Sequence, residues 1–419
     1  MNLTDIPNQN PHYLQDVTDL GEDVNIIASD DIYAANGMKL LAKGARINRS
    51  QRECLQAHKL RLSLDQVLSA DVTVTPAQLS LDANKMLAED AIMRQLAERS
   101  GDPRGFKHVL GTLILPPPLL FRLTVMREQR QPLYQHSLRA ALITHAMAAR
   151  LGLSEQNQRE VVLAALCHDM GEMHTDPLLL TPGNQITSQD RRFIHVHPVT
   201  SYCIMQDMQT LPAASLQAVL QHHERLDGSG YPHGLKEEKI HPLAKLLCVT
   251  EVMEGVLRRG DKQQIDILLR LNQQRFDPAV TQALRDLLGF DSNETPLNPS
   301  IDKVMAQLNH VAQVLAAWPA LNRELTALAA AEPAYLFMVD QMSTLHSLVL
   351  QAGIDPSNLD ILFQLFQEDT RILTEMQLTL NELAWRMADM ANEIERRTTT
   401  LEAAFQAKAS ELVGLLKAG

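Results

Sequence analysis

The sequence predicts a mainly helical protein: an all-helical core, a small α+β module before it, and a helical bundle or coiled coil after it. Three observations carry this. Apolar residues recur at three- and four-residue steps through most of the chain beyond residue 76. Two short apolar runs, Val24–Ile27 and Met38–Leu41, read as strands, and Asn36-Gly37 between Ile32-Tyr33 and Met38 is a strong hairpin signal. Beyond residue 357 there is no proline, and glycine occurs only near the end.

A chain of 419 residues exceeds one ordinary core, so two or three domains are expected. Hydrophobic residues at 45% and charged residues at 21% are globular values. No run is long and apolar enough to span a membrane, so membrane insertion is not expected. The start of the chain shows no basic segment leading into an apolar one, so neither is a signal peptide. Cys54, Cys167, Cys203 and Cys248 match no disulfide or zinc spacing, and reduced thiols in a cytoplasmic protein are expected. A net charge of −12 argues against a nucleic acid polymer as partner.

In chain order, residues 1–20 are polar and read as loosely ordered. Strands at 24–27 and 38–41 and a short helix over 50–60, capped by Ser50, make 1–75 an accessory module. Residues 76–130 read as a helical linker that packs, with Pro116-Pro117-Pro118 as a stiff break. Residues 131–295 form the helical core. Asp176-Pro177 and Thr181-Pro182-Gly183-Asn184 mark turns within it, and Phe276-Asp277-Pro278 opens a late helix. Residues 296–419 form the C-terminal helical region, broken at Pro333 and at Gly353–Pro356. Within it Leu373, Met376, Leu380, Leu383, Met387, Met390 and Ile394 form a heptad seam. The seam suits either a bundle or a dimeric coiled coil, so a homodimer or protein partner through these helices is expected.

The chemistry concentrates in His222–Pro232, which reads His-His-Glu-Arg-Leu-Asp-Gly-Ser-Gly-Tyr-Pro. Two imidazoles arrive at the end of an apolar helical pattern (Leu216, Val219, Leu220), and Asp227, Gly228 and Gly230 then force a loop. Neutral imidazole is the commonest ligand of mid-series divalent metals, and a glycine loop lets backbone approach a ligand. Upstream, His168-Asp169 closes a helical run (Val161, Ala164, Ala165), His197-Pro198 opens another, and His136 shares a face with Ala140, Ile143 and Met147. Helix bundles commonly carry such ligands into one interior.

His168-Asp169, His197-Pro198 and the 222–232 block together resemble the HD-GYP family of metal-dependent phosphohydrolases, whose known members hydrolyse cyclic di-GMP. The likeness spans about residues 130–290. The resemblance implies an HD-type helical core, a cyclic dinucleotide substrate and two divalent transition metal ions, Fe or Mn. It implies Asp169 as bridging, catalytic carboxylate, with His136, His168 and Glu251 holding one ion and His197, His222 and His223 the other. It further implies substrate contacts from Arg225, Asp227, Gly228, Gly230, Tyr231 and Pro232.

The sequence departs from that family in several places. Glu251 stands where an aspartate is usual, and Glu172 where a phosphate-contacting lysine is usual. Pro132 replaces the glutamate of three-metal members. Glu254-Gly255 and Arg258-Arg259 replace the family's Asp-Ala and Arg-Pro-Tyr-Arg. These readings stand open: an active phosphodiesterase giving the linear dinucleotide and then GMP, a non-catalytic receptor or scaffold, and a hydrolase of another nucleotide.

Overall fold

The computed structural model describes residues 11–102, 104–181, 188–258, 262–290, 300–329, 334–352, 354, 364, 369–398, 401 and 403–418. The expected tail at 1–10, the turn signals at Pro182–Asn184, Pro333, Gly353 and Asp355–Pro356, and Arg259 lie outside the described residues. Two compact units divide the chain: Met1–Gly260 with Gln274–Gly289, and Asp261–Gln273 with Phe290–Gly419. Among the described residues no helix is long and apolar enough to cross a membrane.

The first unit opens on α1 (Pro11–Asp23). Residues 11–20, expected to be loosely ordered, are helical instead, because Tyr13, Leu14, Val17 and Leu20 recur on one face and are buried. Strands β2 (Ile32–Tyr33) and β3 (Lys39–Leu41) pair antiparallel around Asn36-Gly37. Gly37 sits at φ +85°, which only glycine adopts cheaply. Strand β1 (Ile26–Ala28) does not join that hairpin. It pairs antiparallel with β4 (Leu68–Ala70), Ile26 opposite Ala70, a strand the sequence reading did not anticipate. The helical turn after 48 is capped by Asn48 rather than Ser50: its side chain accepts from Ser50 N while Gln51 reaches back to Asn48 N.

Helices α2 (Arg52–Gln56), α3 (Leu64–Val67), α4 (Pro76–Glu89), α5 (Ala91–Arg99) and α6 (Gly105–Thr112) follow. Helix α7 (Pro117–Gln129) starts on Pro117, so the proline run both separates it from α6 and opens it. Leu79, Met93, Leu96, Phe106 and Phe121 are all buried, so this stretch packs. The core helices are α8 (Gln131–Arg150), α9 (Glu155–Cys167), α10 (Ser188–His195), α11 (His197–Asp207), α12 (Ala213–Gln221) and α13 (Pro242–Arg258). Facing hydroxyls of Thr144 and Thr250, 2.8 Å apart and buried, tie α8 to α13.

In the second unit, α14 (Lys262–Leu271) is fastened to a later helix by Asn272 Nδ2 donating to Glu382 Oε1 at 2.6 Å. In the first, α15 (Pro278–Leu288) is capped by Asp277, which accepts from Ala279 N and Val280 N. The second unit's remaining helices are α16 (Ile301–Ala329), α17 (Ala334–Gln351), α18 (Thr370–Thr398) and α19 (Ala403–Lys417). The heptad seam of α18, from Leu373 to Ile394, is buried in a core shared with Val304, Leu308, Tyr335, Met338 and Leu412. Within this chain the seam is therefore filled as a bundle is filled.

Candidate metal centre

Five helices deliver the ionisable side chains. His136 projects from α8, His168-Asp169 follow the end of α9, His197 opens α11, His222-His223 follow α12, and Glu251 projects from α13. Helix ends leave carbonyls without helical partners, and this site uses them. His168 Nδ1 donates to Ala165 O at 2.8 Å, His197 Nδ1 to Ile194 O at 2.7 Å, and His222 Nδ1 to Val219 O at 2.6 Å. His136 Nδ1 faces Glu254 Oε2 at 2.9 Å. With each Nδ1 proton so engaged, each Nε2 presents a lone pair.

Those Nε2 atoms converge. His136 Nε2 lies 3.1 Å from His168 Nε2, and both face Glu251 Oε2, at 3.2 and 3.0 Å. His197 Nε2 lies 3.1 Å from His222 Nε2. Asp169 sits between the pairs: Oδ2 is 3.3 Å from His136 and 3.1 Å from His168, and Oδ1 is 3.1 Å from His197 and 3.5 Å from His222. Two ligand sets result, Asp169/His197/His222/His223 and His136/His168/Asp169/Glu251, with donor atoms of each within 4.8 Å of one another. Asp169 is common to both.

Lone pairs facing lone pairs and carboxylates repel unless positive charge lies between them. Asp169 Oδ1 is buried without a well-directed hydrogen bond, an orphan that a cation would satisfy. The donor set of imidazole and carboxylate therefore fits divalent metal ions. The electrostatics show how strongly the site draws positive charge. Burial disfavours charge on His168, but the charge of Asp169 and hydrogen bonds with Asp169 and Glu251 outweigh it and lift the imidazole to about 10. Burial likewise opposes ionisation of Asp169, yet facing His168 and His197 hold it well below the usual carboxylate range. Burial pulls His222 down to about 4 against the attraction of Asp169.

The 222–232 loop closes one side. Glu224, fully buried, accepts from His233 N and Leu235 N, both at 2.8 Å. Asp227 accepts from the backbone and hydroxyl of Ser229. Gly228 sits at φ +78°. Gly230 lies so close to the 223–225 backbone that an added Cβ would stand 2.4 Å from His223 O. Tyr231, joined to Pro232 by a cis peptide bond, stacks on His223 with centroids 4.5 Å apart and on His195 at 4.2 Å. Arg225, expected to order this loop and to contact substrate, has partners within the fold. It is buried, donates to Glu224 O at 3.0 Å and Cys248 Sγ at 2.9 Å, and lies over Phe276. That geometry orders the loop from inside.

Sequence reasoning passed over two neighbours. Glu254, counted above only as a departure, lies one turn after Glu251 on α13 and faces His136; the i, i+3 spacing was its signal. Gly171 packs on His197: a Cβ there would come within 2.3 Å of His197 O, and its amide donates to Ser201 Oγ at 2.8 Å.

Residues 123–280 match the HD domain family. The chain is 30% identical to a cyclic di-GMP phosphodiesterase of Pseudomonas aeruginosa over 48% of this chain and 50% of that one. It is 37% identical to the cyclic di-GMP phosphodiesterase response regulator RpfG of Xanthomonas campestris pv. campestris, over 35% of this chain and 41% of the relative. It is 24% identical to the 3'3'-cGAMP-specific phosphodiesterase 1 of Vibrio cholerae, over 42% and 47%. The chain thus spans about half or less of the length of these relatives.

Proposed function

We propose, from the HD domain at residues 123–280 and the convergence built on it, that this chain is a metal-dependent phosphodiesterase that hydrolyses cyclic di-GMP to the linear dinucleotide, and on to GMP. The observation that carries the reading is Asp169, whose two carboxylate oxygens face separate imidazole pairs. Relatives named for this activity support the substrate class. Two divalent ions, Fe or Mn, would be held by His136, His168, Asp169 and Glu251 on one side and by Asp169, His197, His222 and His223 on the other. When bound, such a pair neutralises the phosphodiester and acidifies water at neutral pH. The chain's own part is positional. The Nδ1 bonds fix four of the five imidazole rings, those of His136, His168, His197 and His222, before substrate arrives. Tyr231, braced between His195 and His223, forms an aromatic wall beside the second set. Asp227, Gly228, Gly230 and Pro232 hold that wall's loop in shape.

The test is turnover. Purified protein loaded with Mn²⁺ or Fe²⁺ is incubated with cyclic di-GMP and, separately, 3'3'-cGAMP, and products are separated by chromatography. Linear dinucleotide from cyclic di-GMP, abolished by Asp169→Ala, is the expected result; turnover of 3'3'-cGAMP alone reassigns the substrate. Glu172 favours a second reading, a receptor without turnover: it puts a carboxyl within electrostatic reach of Asp169 where phosphate would sit. Binding with no product would establish it. We further assign the C-terminal bundle to homodimerisation or partner binding through outward Leu336, Leu350 and Trp385, testable by light scattering. The free cysteines fit work in the cytoplasm.

A further inference from the structure

We infer that Glu254 is a positioning residue for His136, and that Asp90 and Arg139 set Glu254 in turn. The ordering of the first metal pocket then begins at residue 90, outside the segment that matches the HD domain. The inference rests on the metal-site reading above. Glu254 is almost fully buried and splits its carboxylate between two partners: Oε2 faces His136 Nδ1 at 2.9 Å, and Oε1 accepts from Arg139 Nε at 2.7 Å. Arg139 lies one turn along α8 from His136, so one helix face carries both. The outer Nη1 of Arg139 donates to Asp90 Oδ2. Asp90 is itself anchored, because its other oxygen accepts from Ile92 N at 2.9 Å and Met93 N at 3.0 Å as the cap of α5.

Each link has a physical consequence. A carboxylate on Nδ1 fixes the tautomer that leaves Nε2 bare, fixes the ring plane, and makes the imidazole a better donor to a cation. A buried carboxylate needs a positive partner, which Arg139 supplies. Arg139, long and flexible, is held by Asp90. Of the other ligand imidazoles, His168, His197 and His222 take backbone carbonyls at Nδ1. His136 instead takes a carboxylate, so the two ligand sets differ in charge support.

The experiment is metal titration of the whole chain with Mn²⁺ against a competing chelator, read together with electron paramagnetic resonance. Wild type is expected to take up two ions and show the signature of a coupled pair. Glu254→Gln keeps the size and removes the charge. One of the two binding steps should weaken by about 10- to 100-fold, and at equimolar metal the coupled signal should give way to that of isolated Mn²⁺. Asp90→Asn preserves the helix cap and removes only the charge facing Arg139. It should weaken the same step by about fivefold and keeps the inference testable should Glu254→Gln fold poorly. Two unchanged binding steps in both variants overturn the inference and leave the metal site standing. Equal weakening of both steps also overturns it, because that marks general loosening. A wild type that binds fewer than two ions defeats the metal-site reading, and this inference with it.

Discussion

Arg122 on α7 grips Asp65 on α3 with two donors, Nε at 2.9 Å and Nη2 at 2.5 Å from Oδ2, with both side chains buried. The same guanidinium lies over the ring of Tyr13, 3.9 Å from its centroid, and Tyr13 donates its hydroxyl to Asp65 Oδ1. Nη1 donates to His174 Nε2 at 3.1 Å, and His174 stacks on Tyr13. His174 ends the short helical turn Met170–His174 that follows Asp169. One buried cluster therefore joins α1 and α3 to the turn beside the candidate metal centre.

Breaking this cluster one partner at a time should be costly. Arg122→Met leaves the Asp65 carboxylate buried and uncompensated, and Asp65→Asn leaves Arg122 so. Each should lower unfolding free energy by about 3–5 kcal/mol. The double variant Asp65→Leu/Arg122→Met should cost clearly less than the sum of the two singles. Urea denaturation of the four proteins measures this, and simple additivity would show that the pair is not a unit.

The cluster also sets a pH dependence. Burial, then the charge of Arg122, hold His174 well below its ordinary value of 6.5. The folded state therefore resists protonation where the unfolded chain accepts it. Below pH 6.5 the unfolded state binds more protons, so stability falls as pH drops from 6.5 towards the depressed folded value and is unaffected above pH 6.5. At pH 5.5 this one group should cost about 1.4 kcal/mol relative to pH 7.5. With chelator present to remove any metal contribution, His174→Gln should flatten the pH 7.5-to-5.5 difference by that amount. An equally steep dependence in the variant would assign the effect to other groups.

How much of this was legible in the sequence follows from locality. His168-Asp169 and His222-His223 each follow an apolar helical run, so their delivery from helix ends into an interior was readable from spacing alone. The Asn36-Gly37 hairpin was readable because both strands touch that turn. Strand β4 was not, because its partner lies some forty residues away and its run, Leu68–Ala70, is too short to alternate. Asn48 took the cap from Ser50 because the capping box needs Gln51 three residues on. For Arg225 the sequence indicated a loop-ordering role but not its partners. Only the fold reveals Cys248 and Phe276 beneath it.

Gly171→Ala should act on the second ligand set. The added Cβ would meet His197 O at 2.3 Å and Ser201 Oγ at 2.9 Å, and backbone cannot rotate away as a flexible side chain can. The N-terminus of α11, and His197 with it, must move. A stability loss of about 1–3 kcal/mol is expected from overpacking. In the same Mn²⁺ titration the step belonging to the His197/His222/His223 set should weaken while the Glu251 set keeps its affinity. Wild-type binding of both ions would mean that the helix accommodates a methyl group without shifting His197.

Glu172 supplies the sharpest test of how substrate would be received. Burial, then the nearby charge of Asp169, push its carboxyl up to about 7, so it is a group that the site tolerates poorly as an anion. A phosphodiester brought beside it adds a further negative charge and should raise the penalty. Glu172→Gln removes that charge at constant size, and Glu172→Lys reverses it. KM for cyclic di-GMP should fall in that order, by about tenfold for the lysine, while the number of bound metal ions stays the same. If neither variant changes KM while both retain their metal, then Glu172 does not face the phosphate, and the weak point of the site must be sought at Glu251, where the carboxylate reaches one methylene further than aspartate.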